Sequence, residues 1–166
     1  MQDLIKEILS LAQSEQTRQY VTELLLDICQ VDTSPFADVD LMRKAENKVF
    51  ERLEREFQRI PFAGAYCERR PMNPEIKKHP GFSLLHFTKT AENPAGLSPE
   101  EVYRDRSNLL YCIPGSDGRE EKGIAVNAHI DVVKPYFPPR LENGIIFGRG
   151  SCDDKAGVLT AVQAVE

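Results

Sequence analysis

Asn127-Ala128-His129-Ile130-Asp131, followed by Gly148-Arg149-Gly150-Ser151-Cys152-Asp153-Asp154-Lys155, decides how this chain is read. The first stretch closes the run Gly123-Ile124-Ala125-Val126-Asn127-Ala128, which is apolar on both faces and suits a strand buried inside a sheet. The second is a Gly-Arg-Gly turn opening a helix near Asp153 or Asp154, with Val158, Leu159, Val162 and Val165 along one side. Ligands of open α/β sheets gather beyond the carboxyl ends of strands. The order strand, His, turn, Asp, helix therefore predicts one imidazole and several carboxylates at the same end of a sheet.

Those residue types suit a hydrolytic metal. A neutral imidazole at His129 can bind zinc at about 2.0–2.1 Å. Asp131 lies two residues on, so in an extended segment both side chains point the same way. Its carboxylate can hold the other imidazole N–H and fix the tautomer. The Asp153 carboxylate can bridge two metal ions roughly 3.5–4 Å apart. Each element also has an ordinary reading: His129 as a polar loop residue, Asp131 as a turn cap, and Asp153 and Asp154 as cap and dipole partners at a helix N-terminus. Gly148 and Gly150 can simply make a turn. Cys152 reads as a packing residue, because no second His lies nearby to activate it. His79 and His86 fall in an irregular stretch and read as structural or exposed.

Upstream, residues 3–12 have helical period, with Leu4, Ile5, Ile8, Leu11 and Ala12 on one face. Ser14 caps a second helix with the stripe Val21, Leu24, Leu25 and Ile28, stopped by Asp32-Thr33-Ser34-Pro35. A third helix covers about 39–58, with Met42, Ala45, Val49, Leu53 and Phe57 inward. Its other side, with Arg43, Lys44, Glu46, Lys48, Glu51, Arg52, Glu54, Arg55 and Glu56, mixes both signs and reads as a solvated face. Residues 61–107 are rich in proline. They read as short strands around 64–69 and 82–88, loops, and one short helix begun by Ser98-Pro99-Glu100-Glu101. Leu109 to Ile113 form a short strand, Glu142-Asn143-Gly144 a tight turn, and Ile145-Ile146-Phe147 another strand.

Composition bounds the function. The chain has 166 residues, 41% of them hydrophobic and 28% charged, as in ordinary globular proteins. Its net charge of -5 argues against nucleic acid, which wants a basic face. No apolar run approaches the ~20 residues of a membrane span, and the N-terminus does not read as a secretory signal. The cysteines, Cys29, Cys67, Cys112 and Cys152, are scattered without a Cys-x-x-Cys pair, which predicts reduced thiols in a cytoplasmic protein.

Taken together, Asn108 to Ile113, Ala128 to Val133 and Phe147 to Gly157 resemble the co-catalytic zinc metallopeptidases of the aminoacylase, glutamate carboxypeptidase and acetylornithine deacetylase type. Residues 21–57 are similar more loosely, as the helix, turn and helix that open that fold. The resemblance implies an α/β, three-layer αβα zinc-exopeptidase-like (phosphorylase/hydrolase-like) sheet, incomplete at its C-terminus. It makes residues 1–166 the N-terminal portion of one catalytic domain, with a helical opening at 1–60, an irregular insertion-like region at 61–107, and the metal-site strands and helix at 108–166.

By the same resemblance His129 is a ligand of one zinc, Asp153 bridges two zinc ions, and Asp131 is the catalytic residue that orients His129. A cis peptide is expected between Asp153 and Asp154. Lys155 and Gly157 match the pattern without being ligands. Ala128 departs from it, since the family usually has Gly before the metal His. The loop from Asp131 to Gly148 also lacks the usual Trp. The general base, a Glu, and the remaining ligands are expected C-terminal of Glu166, so this piece alone is expected to be inactive.

The implied parent cleaves an amide bond in small peptides or N-acylated amino acids, with no nucleic acid or membrane partner and an open oligomeric state. The alternative is a non-catalytic binding or assembly module that retains the peptidase scaffold. A magnesium phosphohydrolase is weaker, because a phosphate-cradling glycine-rich loop is missing.

Overall fold

The computed structural model describes residues 2–83, 86–115 and 123–165. The chain is α/β: helices α1 (Gln2–Ala12), α2 (Glu15–Cys29) and α3 (Val39–Phe57) come first. Strand β1 (Tyr66–Pro71), the short helix α4 (Pro99–Tyr103) and strand β2 (Ser107–Cys112) follow. Strands β3 (Arg140–Glu142) and β4 (Ile145–Phe147) and helix α5 (Lys155–Gln163) complete the order.

The helices form where the periodicity predicts. Ser14 caps α2 by accepting from the Thr17 amide, and Asp38 caps α3 by accepting from the amides of Asp40 and Leu41. Leu24, Ile28 and Cys29 of α2 pack with Val49 and Leu53 of α3 and with Val158, Leu159 and Val162 of α5, and this is the main core. α1 is a helix, but its apolar face (Leu4, Ile5, Ile8, Leu9 and Leu11) lies exposed.

The strands are few. β1 and β2 pair antiparallel, from Tyr66 opposite Cys112 to Pro71 opposite Ser107. β3 and β4 form a hairpin around Asn143 and Gly144, whose φ angles of 51° and 78° lie where a tight turn needs them. Among the described residues each sheet has two strands.

Three expectations are corrected. Residues 123–128 do not form a buried strand: they are irregular, with Ile124 93% exposed. A strand exists only by exchanging backbone hydrogen bonds with a neighbour, and no described strand lies beside this stretch. The strand expected at 82–88 is also absent where it can be seen. Residues 86–88 make a 3₁₀ turn, while 84 and 85 lie outside the described residues.

The third correction concerns the charged side of α3, which is only partly a solvated face. Glu54 takes a two-pronged contact from Arg69 of β1, at 2.6 and 2.7 Å. Glu46 takes one from Arg106, at 3.0 and 2.5 Å. Glu56, 4% exposed, accepts from Tyr20 at 2.7 Å and from Arg59 at 3.0 Å, and also pairs with Arg52. Residues 61–107 are thus strapped onto α3. A second apolar cluster of Val39, Met42 and Val102, with Phe36, Phe87, Leu97 and Tyr103, fastens α4 there as well.

Candidate metal centre

His129 and Asp153 come from the two halves of the double motif and meet. Nε2 of His129 lies 3.2 Å from Oδ1 of Asp153. On the other side of the ring, Nδ1 lies 3.0 Å from the Asp131 carbonyl and 3.2 Å from its Oδ1. Donation from Nδ1–H to Asp131 leaves the Nε2 lone pair directed at Asp153. Both side chains are open to solvent: that of His129 is 49% exposed and that of Asp153 91%. They line a shallow pocket of about 210 Å³ together with Asp131, Val132, Gly150 and Cys152.

The loop that delivers Asp153 is shaped by close packing. Gly150 has φ +86°, and a Cβ there would lie 2.7 Å from the Val132 side chain. The peptide between Asp153 and Asp154 is cis, as the resemblance implies. Asp154 stands at the N-cap of α5 but makes no side-chain cap bond. Its Oδ2 instead accepts from the His129 backbone N–H at 3.3 Å. Gly157 makes room for that carboxylate, since a Cβ there would sit 2.0 Å from Asp154 Oδ1. The turn after α2 touches the first half of the motif as well. Thr33 Oγ1 donates to the Ile130 carbonyl at 2.5 Å, and the Thr33 carbonyl accepts from the Val132 amide at 3.4 Å.

The electrostatics follow from these contacts. Partial burial disfavours a charged His129, but the Asp131 carbonyl and the carboxylates of Asp131, Asp154 and Asp153 outweigh it. The imidazole pKa therefore lies above its ordinary 6.5. Lys155 is fully buried, and its Nζ donates to the carbonyls of Ile28 at 2.9 Å and Val31 at 2.8 Å, at the end of α2. These acceptors lie at and just beyond the C-terminal end of α2, where a cation is favoured. Burial pulls the Lys155 pKa below its usual value, against the opposing charges of Cys29 and Asp32.

The expected residues His129, Asp131 and Asp153 are thus together. Asp154, Thr33 and Lys155 are partners that sequence reading did not assign to the site. No group of three or more His, Cys, Asp or Glu suited to hold a metal occurs among the described residues. All four cysteines are free thiols, and Cys152 is exposed beside the pocket. No described helix is long and apolar enough to cross a membrane.

Residues 125–166 match the profile described as peptidase family M20/M25/M40. The chain is similar to a LysW-lysine/LysW-ornithine hydrolase of Saccharolobus solfataricus, 31% identical over 67 residues, which cover 39% of this chain and 19% of that protein. It is similar to a succinyl-diaminopimelate desuccinylase of Buchnera aphidicola, 32% identical over 80 residues, covering 43% of this chain and 20% of that one. A peptidase M20 domain-containing protein of Schizosaccharomyces pombe is 34% identical over 88 residues, covering 50% and 21%. The matched stretches thus span about a fifth of these relatives. No solved structure matches. The segment carrying the double motif is thus similar to peptidase family M20/M25/M40.

Proposed function

We propose that this chain is part of the catalytic domain of a dizinc hydrolase that cleaves an amide bond next to a free carboxylate, in a small peptide or an N-acylated amino acid. The observation that carries this reading is the 3.2 Å approach of His129 Nε2 to Asp153 Oδ1, with Asp131 behind the ring. Two ligands of one tetrahedral zinc, each at about 2.0–2.1 Å, lie about 3.3 Å apart, so this nitrogen and oxygen fit a shared ion. The donor set of one imidazole and one carboxylate suits zinc better than magnesium, which prefers oxygen ligands.

In this reading His129 holds one zinc, Asp153 bridges both, and Asp131 orients the imidazole. When bound, zinc supplies the Lewis acidity that draws the pKa of a water towards about 7. The chain's own residues prepare the ligands. Asp131 keeps the proton on Nδ1, and Asp154 holds the His129 backbone. Gly157 admits the Asp154 carboxylate. The resemblance puts the proton-accepting Glu and the remaining ligands C-terminal of Glu166.

Acylated amino-acid substrates are supported by the names of the relatives, a desuccinylase and a LysW-lysine hydrolase. The same reading makes residues 1–60, 61–107 and 108–166 portions of one catalytic domain, with β1 and β2 entering a larger three-layer αβα sheet. The free thiols support a cytoplasmic setting.

The full-length parent is expected to carry zinc and to hydrolyse dipeptides or N-acyl amino acids, checked by metal analysis and amine release. A metal-free, inert parent overturns the reading. The 166-residue chain alone is expected to bind zinc weakly in calorimetry and to show no hydrolysis.

A further inference from the structure

We propose that the turn closing α2, Ile28 to Ser34, is the jig that sets the two halves of the metal centre against each other, with Thr33 and Lys155 as its positioning residues. The proposal rests on the metal reading above for its consequence, but its geometry stands without metal. One half of the centre, 129–133, is tied to the turn by Thr33 twice: through its hydroxyl to the Ile130 carbonyl at 2.5 Å and its own carbonyl to the Val132 amide at 3.4 Å. The other half, 148–155, is tied to it by the Lys155 ammonium, which reaches the carbonyls of Ile28 and Val31. Within that half, Lys155 N–H also donates to the Gly150 carbonyl at 3.1 Å, closing the loop that presents Asp153.

The two halves therefore meet the same short piece of backbone, within a few residues of each other, before they meet at His129 and Asp153. Val132, close against Gly150, adds a direct packing contact between them. Neither Thr33 nor Lys155 faces the pocket. Both act on the ligands through the backbone that carries them. Because His129 sits one residue from the tied Ile130 and Asp153 two residues from the tied Lys155, a small shift of either tie changes the His129–Asp153 separation directly. Partners behind metal ligands typically govern affinity by about 10–100-fold.

The test uses the full-length parent carrying Thr33→Val, Thr33→Ser, Lys155→Met or Lys155→Arg. Thr33→Val keeps the shape and the backbone bond but removes the hydroxyl donor, while Thr33→Ser restores it. Zn²⁺ affinity by competition with a chromophoric chelator is expected to fall about 10–100-fold in Thr33→Val and Lys155→Met, and to stay within about threefold of wild type in Thr33→Ser.

Hydrogen exchange of the metal-free proteins supplies a second readout. It should quicken over 128–133 in Thr33→Val and over 148–155 in Lys155→Met, with exchange in α3 unchanged. Faster exchange across α3 as well would mark general loosening and overturn the positioning role, as would Thr33→Val binding Zn²⁺ like wild type. A wild-type parent that binds no Zn²⁺ defeats the metal reading instead, and the exchange pattern then decides this proposal on its own.

Discussion

Leu24 and Ile124 are both aliphatic residues in segments that read as core, yet Leu24 is 1% exposed and Ile124 93%. The contrast is between a helical body and a lone extended segment. α2, α3 and α5 satisfy their backbone hydrogen bonds internally, so each needs only another apolar face to bury its stripe. Residues 123–128 need a partner's backbone as well as its side chains. Among the described residues they have no strand partner; Ile124 and Val126 stay bare, and only Ala128 packs partly against the core. Hydrophobicity marks a segment for burial, but only the helix can use that signal one element at a time.

The contrast predicts a graded set of outcomes in this chain. Leu24→Ala should cost about 2–5 kcal/mol, because it opens a cavity at the junction of α2, α3 and α5. Urea unfolding followed by circular dichroism measures it, and a loss below 1 kcal/mol would mean that the three helices are not one packed body.

Glu56→Gln should cost about 1–3 kcal/mol, since Arg52 and Arg59 would keep their charges without the buried carboxylate. Burial alone would raise the Glu56 pKa, but hydrogen bonds from Arg52 and Tyr20 and the charge of Arg59 lower it. Its contribution is therefore present above the ordinary carboxylate range and disappears as pH falls through the depressed folded value. The difference between wild type and Glu56→Gln should shrink on acidification.

Ser98→Ala removes half of a reciprocal capping box with Glu101 and should cost about 0.5–2 kcal/mol, read by the same unfolding curves. At the candidate centre, the metal-free His129 should titrate above 6.5 in an NMR pH series, and Asp131→Asn should bring it down. The sign for stability is the reverse of that for Glu56. A protonated His129 stabilises the fold below about 6.5, and that contribution is lost as pH rises through the folded value. The smallest effect is expected at the bare segment, where Ile124→Ser should change stability by no more than about 0.5 kcal/mol. A large loss there would show that the segment is packed in solution after all.

Much of this architecture is legible in the residues, for local reasons. The helices follow from apolar spacing and from caps at Ser14 and Ser98, and the hairpin from Asn143-Gly144. The meeting of His129 and Asp153 is foreshadowed by the order of the double motif, although the strand expected before His129 is absent. What stays hidden is long-range. Thr33 reads only as part of a helix stop, and its bond to Ile130 joins residues 97 positions apart. Nothing local distinguishes Glu56, which is buried, from Glu51, which is exposed, although both lie on one helix. Lys155 shows a trace of its role in the resemblance alone, and spacing does not reveal that its ammonium ends among α2 carbonyls.

That burial gives the fold a built-in reporter. Lys44, Lys48 and Lys134 offer their amines to solvent, whereas Lys155 offers no surface at all. An amine-reactive label applied briefly to the intact protein should mark the first three and pass over the fourth. The appearance of label on Lys155 would then time the moment at which α5 parts from the end of α2.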